Sequence, residues 1–309
     1  MMRGPEIAGP RNEAQGGPGQ ERRPPAVISL SSHVARGSVG NRSIVFALET
    51  LGLPVWSVNT VSLPFHPGHG KATRLVPDPD QFRSYLDDLL NSPWLEEVGG
   101  VLTGYMANAA QAEIVGSFLQ QLKQRRPGLV TLCDPVIGDH GGLYVAPETA
   151  KAIRDHLLPH ADIATPNLHE LAWLVGESDT AELAAIVRMA RRLGPKTVVT
   201  TSAPALMRGH NGNLLVEGKS VVMAEHMLAE GPPNGPGDLV SALFLAHVLT
   251  GGEPVSALEK ATASVFEIVV RAARRGSSEL MLAADKGSIM RPMAMINLRA
   301  VMVPDKAGR

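Results

Sequence analysis

The sequence predicts an α/β protein with a doubly wound, mostly parallel central sheet, helices on both faces, and antiparallel edge strands towards the C-terminal half. Three observations carry this. Short apolar, β-prone runs alternate with helical patterns from residue 26 onward. Small and polar residues follow the ends of those runs, where open parallel sheets bind ligands. A late cluster of short β-type runs with no helix between them turns one edge antiparallel.

Residues 1–25 stand apart. They are rich in Gly, Pro and charge with almost nothing to bury, and read as a disordered tail. Arg22-Arg23 is followed by Pro24-Pro25 rather than an apolar stretch with a cleavage site, so no export signal is read there. Residues 26–309 show no internal repeat and no second composition regime, and read as a single domain.

Ala26–Leu30 is the first strand, a run long enough to be buried. Ser31-Ser32-His33 and Gly37-Ser38-Val39-Gly40-Asn41 form a small-residue loop, and Ser43–Leu51 is a helix that Gly52 ends. Pro54–Val58 is the second strand and Asn59–Arg74 an irregular loop holding His66, Gly68, His69 and Gly70. Helix Pro79–Leu90, strand Gly100–Leu102, helix Asn108–Gln124 and strand Leu129–Cys133 follow. The loop Asp134–Gly142 carries two carboxylates and three glycines. Pro147–His156 is helical, Asp162–Ala164 is a short strand, and Thr165-Pro166-Asn167 opens a helix to Val175. Glu182–Leu193 is a helix and Thr197–Thr200 a strand ending in Thr201-Ser202. Three short β-type runs lie near Ala205–Arg208, Leu214–Glu217 and Ser220–Glu225. A Pro/Gly/Asn loop then leads into a helix predicted to begin at Asp238, and Ser256–Arg274 is the last long helix.

Composition narrows the function. The chain has 309 residues, 44% hydrophobic and 19% charged, within the globular range. A net charge of −1 offers no footprint for nucleic acid and no polybasic membrane patch. The one cysteine, Cys133, excludes a disulfide framework and multi-cysteine metal sites, and favours a reducing, cytoplasmic setting. No apolar run reaches the roughly 18–20 residues that span a bilayer.

The polar strand ends are Ser32, Tyr105, Asp134 with Asp139, Thr165 to Glu170, Thr201-Ser202, and Gly235 to Asp238. In a parallel sheet they converge on one crevice. Glycine amides, carboxylates and hydroxyls without thiolate ligands describe an oxygen-rich Mg²⁺ and phosphate site. A helix opening at Asp238 would aim its free N–H groups and dipole at an anion; an ordinary N-cap is the alternative for that Asp. His66 and His69 lack the partner pair that a zinc site needs. No GxxxxGK[ST], GxGxxG or GxSxG motif follows a strand, which argues against P-loop kinases, dinucleotide enzymes and α/β-hydrolases.

VISLSSHVARGSVGNRSIVFALETLGLPVWSVNTV (27–61) resembles the opening of the pyridoxal kinases, the vitamin B6 salvage kinases of the ribokinase-like superfamily. DPVIGDHGGLYVAPE (134–148), TPNLHEL (165–171), Thr200–Ser202, GPGD (235–238) and 261–280 are similar to further segments of that family, in the same order. The resemblance implies transfer of the ATP γ-phosphoryl group to the 5′-hydroxymethyl oxygen of pyridoxal, pyridoxine or pyridoxamine. It implies Asp238 as the base, which also meets the substrate, and Asp134, Asn167 and Glu170 holding Mg²⁺ directly or through water. Asp134, Glu170, Thr165, Thr201, Ser202, Asn234, Gly235 and Gly237 would serve the nucleotide. Ser32, Val39, His66, Pro67 and Tyr105 match positions around the pyridine ring, and Asp139–Gly142 would be a flap over ATP. A monovalent cation such as K⁺ and a homodimer also come with the family.

Each position has a plainer alternative: first-turn charge for Glu170, a strand-end aromatic for Tyr105, loop capping for Ser32 and Thr201-Ser202, a turn role for Asp134, and helix packing for Val39. Two departures from the family pattern stand out. Pro236 replaces the usual Thr or Val of GxGD and removes one N–H donor, and SLPFHPGHG (62–70) keeps only the His and two Gly of the ring-side loop, with Pro67 in place of a Thr. Rival functions are a hydroxymethylpyrimidine kinase of thiamine biosynthesis and a non-catalytic B6-binding protein.

Overall fold

The computed structural model describes residues 23–302; most of the expected tail lies outside them, and Ala26 already opens the first strand. In chain order the elements are β1 (Ala26–Val34), α1 (Asn41–Thr50), β2 (Val55–Leu63), α2 (Pro79–Leu90), β3 (Val98–Thr103), α3 (Ala109–Arg125), β4 (Val130–Cys133), β5 (Gly138–Asp139), β6 (Gly142–Leu143) and α4 (Pro147–Ala152). They continue with β7 (Ile163–Ala164), α5 (Leu168–Val175), α6 (Leu183–Arg192), β8 (Thr197–Pro204), β9 (His210–Glu217), β10 (Ser220–Met227), α7 (Pro236–Leu249), α8 (Pro254–Arg274), α9 (Lys286–Met290) and β11 (Asn297–Ala300).

Nine strands form one sheet in the order β11-β10-β9-β8-β7-β4-β3-β1-β2. From β2 to β8 every pairing is parallel, and β8 through β11 are antiparallel. The doubly wound sheet with an antiparallel C-terminal edge is therefore the predicted one. The order reverses between β1 and β3, which opens a crevice at their carboxyl ends. Strand residues alternate between faces: Val27, Val199 and Leu215 pack towards α1, α7 and α8, whereas Ile28, Val198 and Leu214 pack towards α2–α6. Leu239–Ala246 of α7 are all buried, as expected of a helix covered on every side.

Several boundaries differ from the sequence reading. β2 runs to Leu63, so the loop begins later than Asn59; Asn59 is a strand residue whose Oδ1 accepts from Asn41 Nδ2 at 3.0 Å. Ala205–Arg208 is a turn between β8 and β9, because Leu206 and Met207 are exposed and have no buried face to join. α7 starts at Pro236, two residues before Asp238, and α8 starts at Pro254. Proline at the first helical position loses nothing, since that N–H has no intrahelical acceptor. The short α9 and the edge strand β11 had no periodic signal to announce them. Among the described residues no helix is long and apolar enough to cross a membrane.

Candidate active site

Gly235 caps α7 with φ of 98°. A Cβ there would stand 2.5 Å from Ser38 O and 3.0 Å from Val39 Cγ1, so both the conformation and the space require glycine. The first intrahelical bond runs from Leu239 N to Gly235 O. The Gly237 and Asp238 amides thus stay at the helix mouth, where the dipole favours an anion. Pro236 occupies the first helical position, so the donor it lacks is one of several there. Pro236→Thr is expected to change kcat by less than about threefold, because the other amides and the dipole persist. A tenfold rise in steady-state turnover would show instead that the added amide reaches the phosphate.

Asp238 is the third residue of α7, and its Oδ2 accepts a hydrogen bond from Gly40 N at 2.9 Å. Gly40 is held against the end of β1, where a Cβ would meet Ser32 O at 2.2 Å. Burial pushes the Asp238 carboxyl up to about 6, against a smaller opposing pull from the Gly40 N–H. A carboxylate so poised ionises near neutrality and still attracts a proton, as a general base requires.

Asp134, at the end of β4, is buried and lies across from α7. Ser241 Oγ, one turn beyond Asp238, donates to Asp134 Oδ2 at 2.9 Å and lies 2.8 Å from Thr165 Oγ1. Burial raises the Asp134 carboxyl well above its usual range, and Glu170 and Asp238 add to the rise. Glu170 Oε1 accepts from Ile137 N at 2.8 Å and Gly138 N at 3.3 Å, while Oε2 accepts from Asn167 N at 2.9 Å. With Asn167 Oδ1 accepting from Glu170 N, this is a capping box that also carries the 137–138 backbone. Burial pushes Glu170 up to about 7 despite those three donors. Asn167 Nδ2 donates to Gly138 O at 2.8 Å. The side chains of Asn167 and Glu170 are therefore occupied in fixing the loop that follows Asp134. Among the described residues no three His, Cys, Asp or Glu side chains are grouped to hold a metal by themselves.

Among the described residues two non-glycine residues have positive φ, Val136 at 42° and Ser202 at 55°, and both lie in this region. Ser202 sits in an irregularity of β8 between Thr200 and Ala203. Thr201 N donates to Pro166 O at 2.9 Å, so the pair is carried beside the Thr165–Asn167 segment rather than beyond the strand end. Backbone strain of this kind persists only where the surroundings enforce it. The expected flap is the small hairpin β5–β6, in which Asp139 accepts from Gly141 N at 2.7 Å and from the Tyr144 hydroxyl at 2.5 Å.

Of the residues expected around the ring, Ser32, Val39 and Tyr105 lie near the carboxyl ends of β1 and β3, and His66 and Pro67 follow β2. Tyr105 N donates to Ser31 Oγ at 3.3 Å, and Thr60 Oγ1 donates to Tyr105 O at 2.7 Å. Val39 is buried with Val34, Val61 and Leu63, and the Tyr105 ring packs on that cluster. Arg74 Nη2 donates to the Tyr105 hydroxyl at 2.7 Å, with its guanidinium carbon 5.7 Å from the ring centroid. Ser32 is partly buried beside Gly40. His66 Nδ1 accepts from Gly68 N at 3.1 Å and opens a single helical turn, Pro67–His69. Burial lowers the His66 imidazole, partly countered by Glu279. Asn234 stands beside that turn: a Cβ on Gly68 would lie 3.5 Å from Asn234 Nδ2.

The sequence-predicted residues thus converge on the carboxyl edge of the parallel strands, with direct contacts between Gly40 and Asp238, among Asp134, Ser241 and Thr165, and between Asn167 and Gly138. Ser241, Arg74 and Glu279 were missed. Ser241 has a weak signal in its position one turn after Asp238 on α7; the other two act through tertiary contacts only.

A family model described as phosphomethylpyrimidine kinase matches residues 80–282. A pyridoxal kinase of Granulibacter bethesdensis is 34% identical over 275 residues, covering 86% of this chain and 96% of its own. A pyridoxine/pyridoxal/pyridoxamine kinase of Bordetella bronchiseptica is 38% identical over 267 residues, covering 83% and 93%. Among solved structures, the Leishmania donovani pyridoxal kinase in complex with ADP and pyridoxamine superposes with a TM-score of 0.83 at 28% identity, covering 90% of this chain and 99% of that one.

Proposed function

The chain belongs to the pyridoxal kinase family, and we propose that it transfers the γ-phosphoryl group of ATP to the 5′-hydroxymethyl oxygen of a B6 vitamer. With pyridoxal the products are pyridoxal 5′-phosphate and ADP. The observation that carries this reading is Asp238: a carboxylate raised to about 6, at the mouth of α7, beside the amides that an incoming phosphoryl group needs. Asp238 takes the proton of the hydroxymethyl group as its oxygen attacks phosphorus. The Gly237 and Asp238 amides and the α7 dipole stabilise charge on the transferring group. Thr165, Thr201, Ser202, Asn234 and Gly235 line the nucleotide side; Ser32, Val39, His66, Pro67 and Tyr105 line the ring side.

The donor set fits a hard divalent cation. Asp134 and Glu170 are buried, and burial with the neighbouring Glu170 and Asp238 carboxylates raises Asp134. Oxygen ligands of this kind suit Mg²⁺ shared with phosphate. Asp134 would hold it, Glu170 and Asn167 would act through water, and the ion would neutralise phosphate charge. Soluble homodimers in the cytoplasm, needing no nucleic acid or membrane, complete the proposal.

The phosphomethylpyrimidine kinase description favours one second reading, a hydroxymethylpyrimidine acceptor. ADP release with ATP, Mg²⁺ and each of pyridoxal, pyridoxine, pyridoxamine and hydroxymethylpyrimidine separates the two. At least one vitamer is expected to be preferred by about tenfold or more in kcat/KM. Turnover of the pyrimidine alone would sink the B6 reading.

A further inference from the structure

Glu279 lies in the loop after α8, near the end of the 261–280 segment, with a side chain only 11% exposed. A buried carboxylate is costly unless it is paired, so a purely packing role would be served better by an apolar residue. Its side-chain partners come from the loop before α1 and from the 66–69 turn after β2. Oε1 is 2.8 Å from His69 Nε2 and accepts from Arg36 Nη1 at 3.3 Å, and Oε2 accepts from Ser38 N at 3.4 Å. The backbone of Glu279 bridges to Asn234 in the loop before α7. Next to it, Ser38 Oγ donates to Leu280 O at 2.8 Å. Gly37, with φ of 113°, lies so close that a Cβ would come within 2.7 Å of Oε2.

These contacts tie together three pieces of chain. The 36–40 segment ends in Gly40, whose N–H meets Asp238. The 66–69 turn carries His66 and Pro67 on the ring side. The 231–235 loop ends in the Gly235 cap of α7. The turn is otherwise exposed, and its own internal side-chain bond is the one from Gly68 N to His66. One carboxylate therefore fixes how the ring side meets the phosphate loop.

We propose that Glu279 is a positioning residue of the kinase reaction, holding the 36–38 loop and, through His69, the 66–69 turn in register with Asn234 and Asp238. Its side chain acts on vitamer capture, because its carboxylate contacts Arg36, Ser38 and His69 and reaches none of Asp134, Thr165 or the Thr201-Ser202 pair; the one link to the nucleotide side, at Asn234, runs through the backbone and survives a side-chain substitution. The inference rests on the B6-kinase function proposed above and names a residue which controls its acceptor site.

Full kinetics of Glu279→Ala, Glu279→Gln and His69→Phe, with ATP and vitamer varied separately, test it. Glu279→Ala is expected to raise the vitamer KM about tenfold, with the ATP KM within about twofold. Glu279→Gln keeps one acceptor oxygen for Ser38 N, and its N–H₂ can donate to a neutral His69 Nε2, so it should recover most of that loss. His69→Phe should reproduce the vitamer effect, and combining it with Glu279→Ala should add little, since both cut one link. Should Glu279→Ala fail to fold, His69→Phe decides alone, because its site is at the surface. Parallel rises in both KM values, or a lowered Tm with wild-type kinetics, would overturn the proposal. Absence of wild-type turnover on every vitamer would instead overturn the function on which it rests, so the two failures are distinct.

Discussion

Asp238→Ala is expected to lower kcat by about 10³-fold, within the range for loss of a positioned general base, while ADP affinity should stay within about threefold because the α7 amides and the Thr165 and Thr201-Ser202 segments are untouched. Single-turnover phosphoryl transfer and calorimetric ADP binding measure the two halves. The same residue sets the pH response. With its folded pKa raised to about 6, turnover should fall as pH drops through that value and the carboxylate takes up a proton. For stability the sign is opposite. A carboxyl raised on folding favours the folded state most below its ordinary value of 3.8, and this contribution is lost as pH rises through about 6. Asp238→Asn should therefore be more stable than the wild type at pH 8, with the gap closing in acid. Equal Tm values for the two proteins at pH 8 would mean that the carboxylate is not under desolvation stress.

The second large effect belongs to Glu170. Its two oxygens accept from three backbone N–H groups, those of Ile137, Gly138 and Asn167. Glu170→Ala leaves these donors without their acceptor and frees the loop after Asp134. The expected loss is about 3 kcal/mol or more in unfolding free energy, from buried donors left unpaired. Turnover should fall with it, because Asp134 and the β5–β6 hairpin lose their anchor. Glu170→Gln keeps one acceptor oxygen but turns an amide N–H₂ towards a donor, so it should rescue only part of the stability. Denaturant unfolding of both variants, without ligand, checks the order; an alanine variant as stable as wild type would remove Glu170 from the loop's support.

Much of the fold could be read in the chain because it is written locally. AVISL, TLC and TVV are short apolar runs, and helix Pro79–Leu90 has the same ends in the structure, where Asp78 caps it and a proline opens its first turn. Where tertiary contacts decide, the reading stopped short. β2 looked finished at Val58 because Asn59, Thr60 and Ser62 are polar, yet Asn41 and Gln111 satisfy that polar stretch from elsewhere. The Thr201-Ser202 pair looked like a loop after a strand, and is a strained irregularity inside it. Pro236, read as removing one N–H donor, stands at the first position of α7, where the missing amide lies outside the helical ladder.

The site divides in the same way. Asp134, Glu170 and Asp238 stand in runs whose small residues and strand ends mark them. Ser241 reaches a carboxylate 107 residues away, and Glu279 a histidine 210 residues away. No spacing rule within one segment encodes such pairs. Glu170 is expected from the resemblance to hold metal directly or through water, and its oxygens accept from backbone amides, which suits the role through water.

The most direct test is phosphorus NMR of the product formed from pyridoxal and ATP by wild-type protein and by Asp238→Ala. A phosphate monoester on the 5′ oxygen, formed by the wild type and lost in the variant, is the predicted result. ATP hydrolysis without an esterified vitamer, or equal product from both proteins, would contradict the assignment of Asp238 as the base of a vitamin B6 kinase.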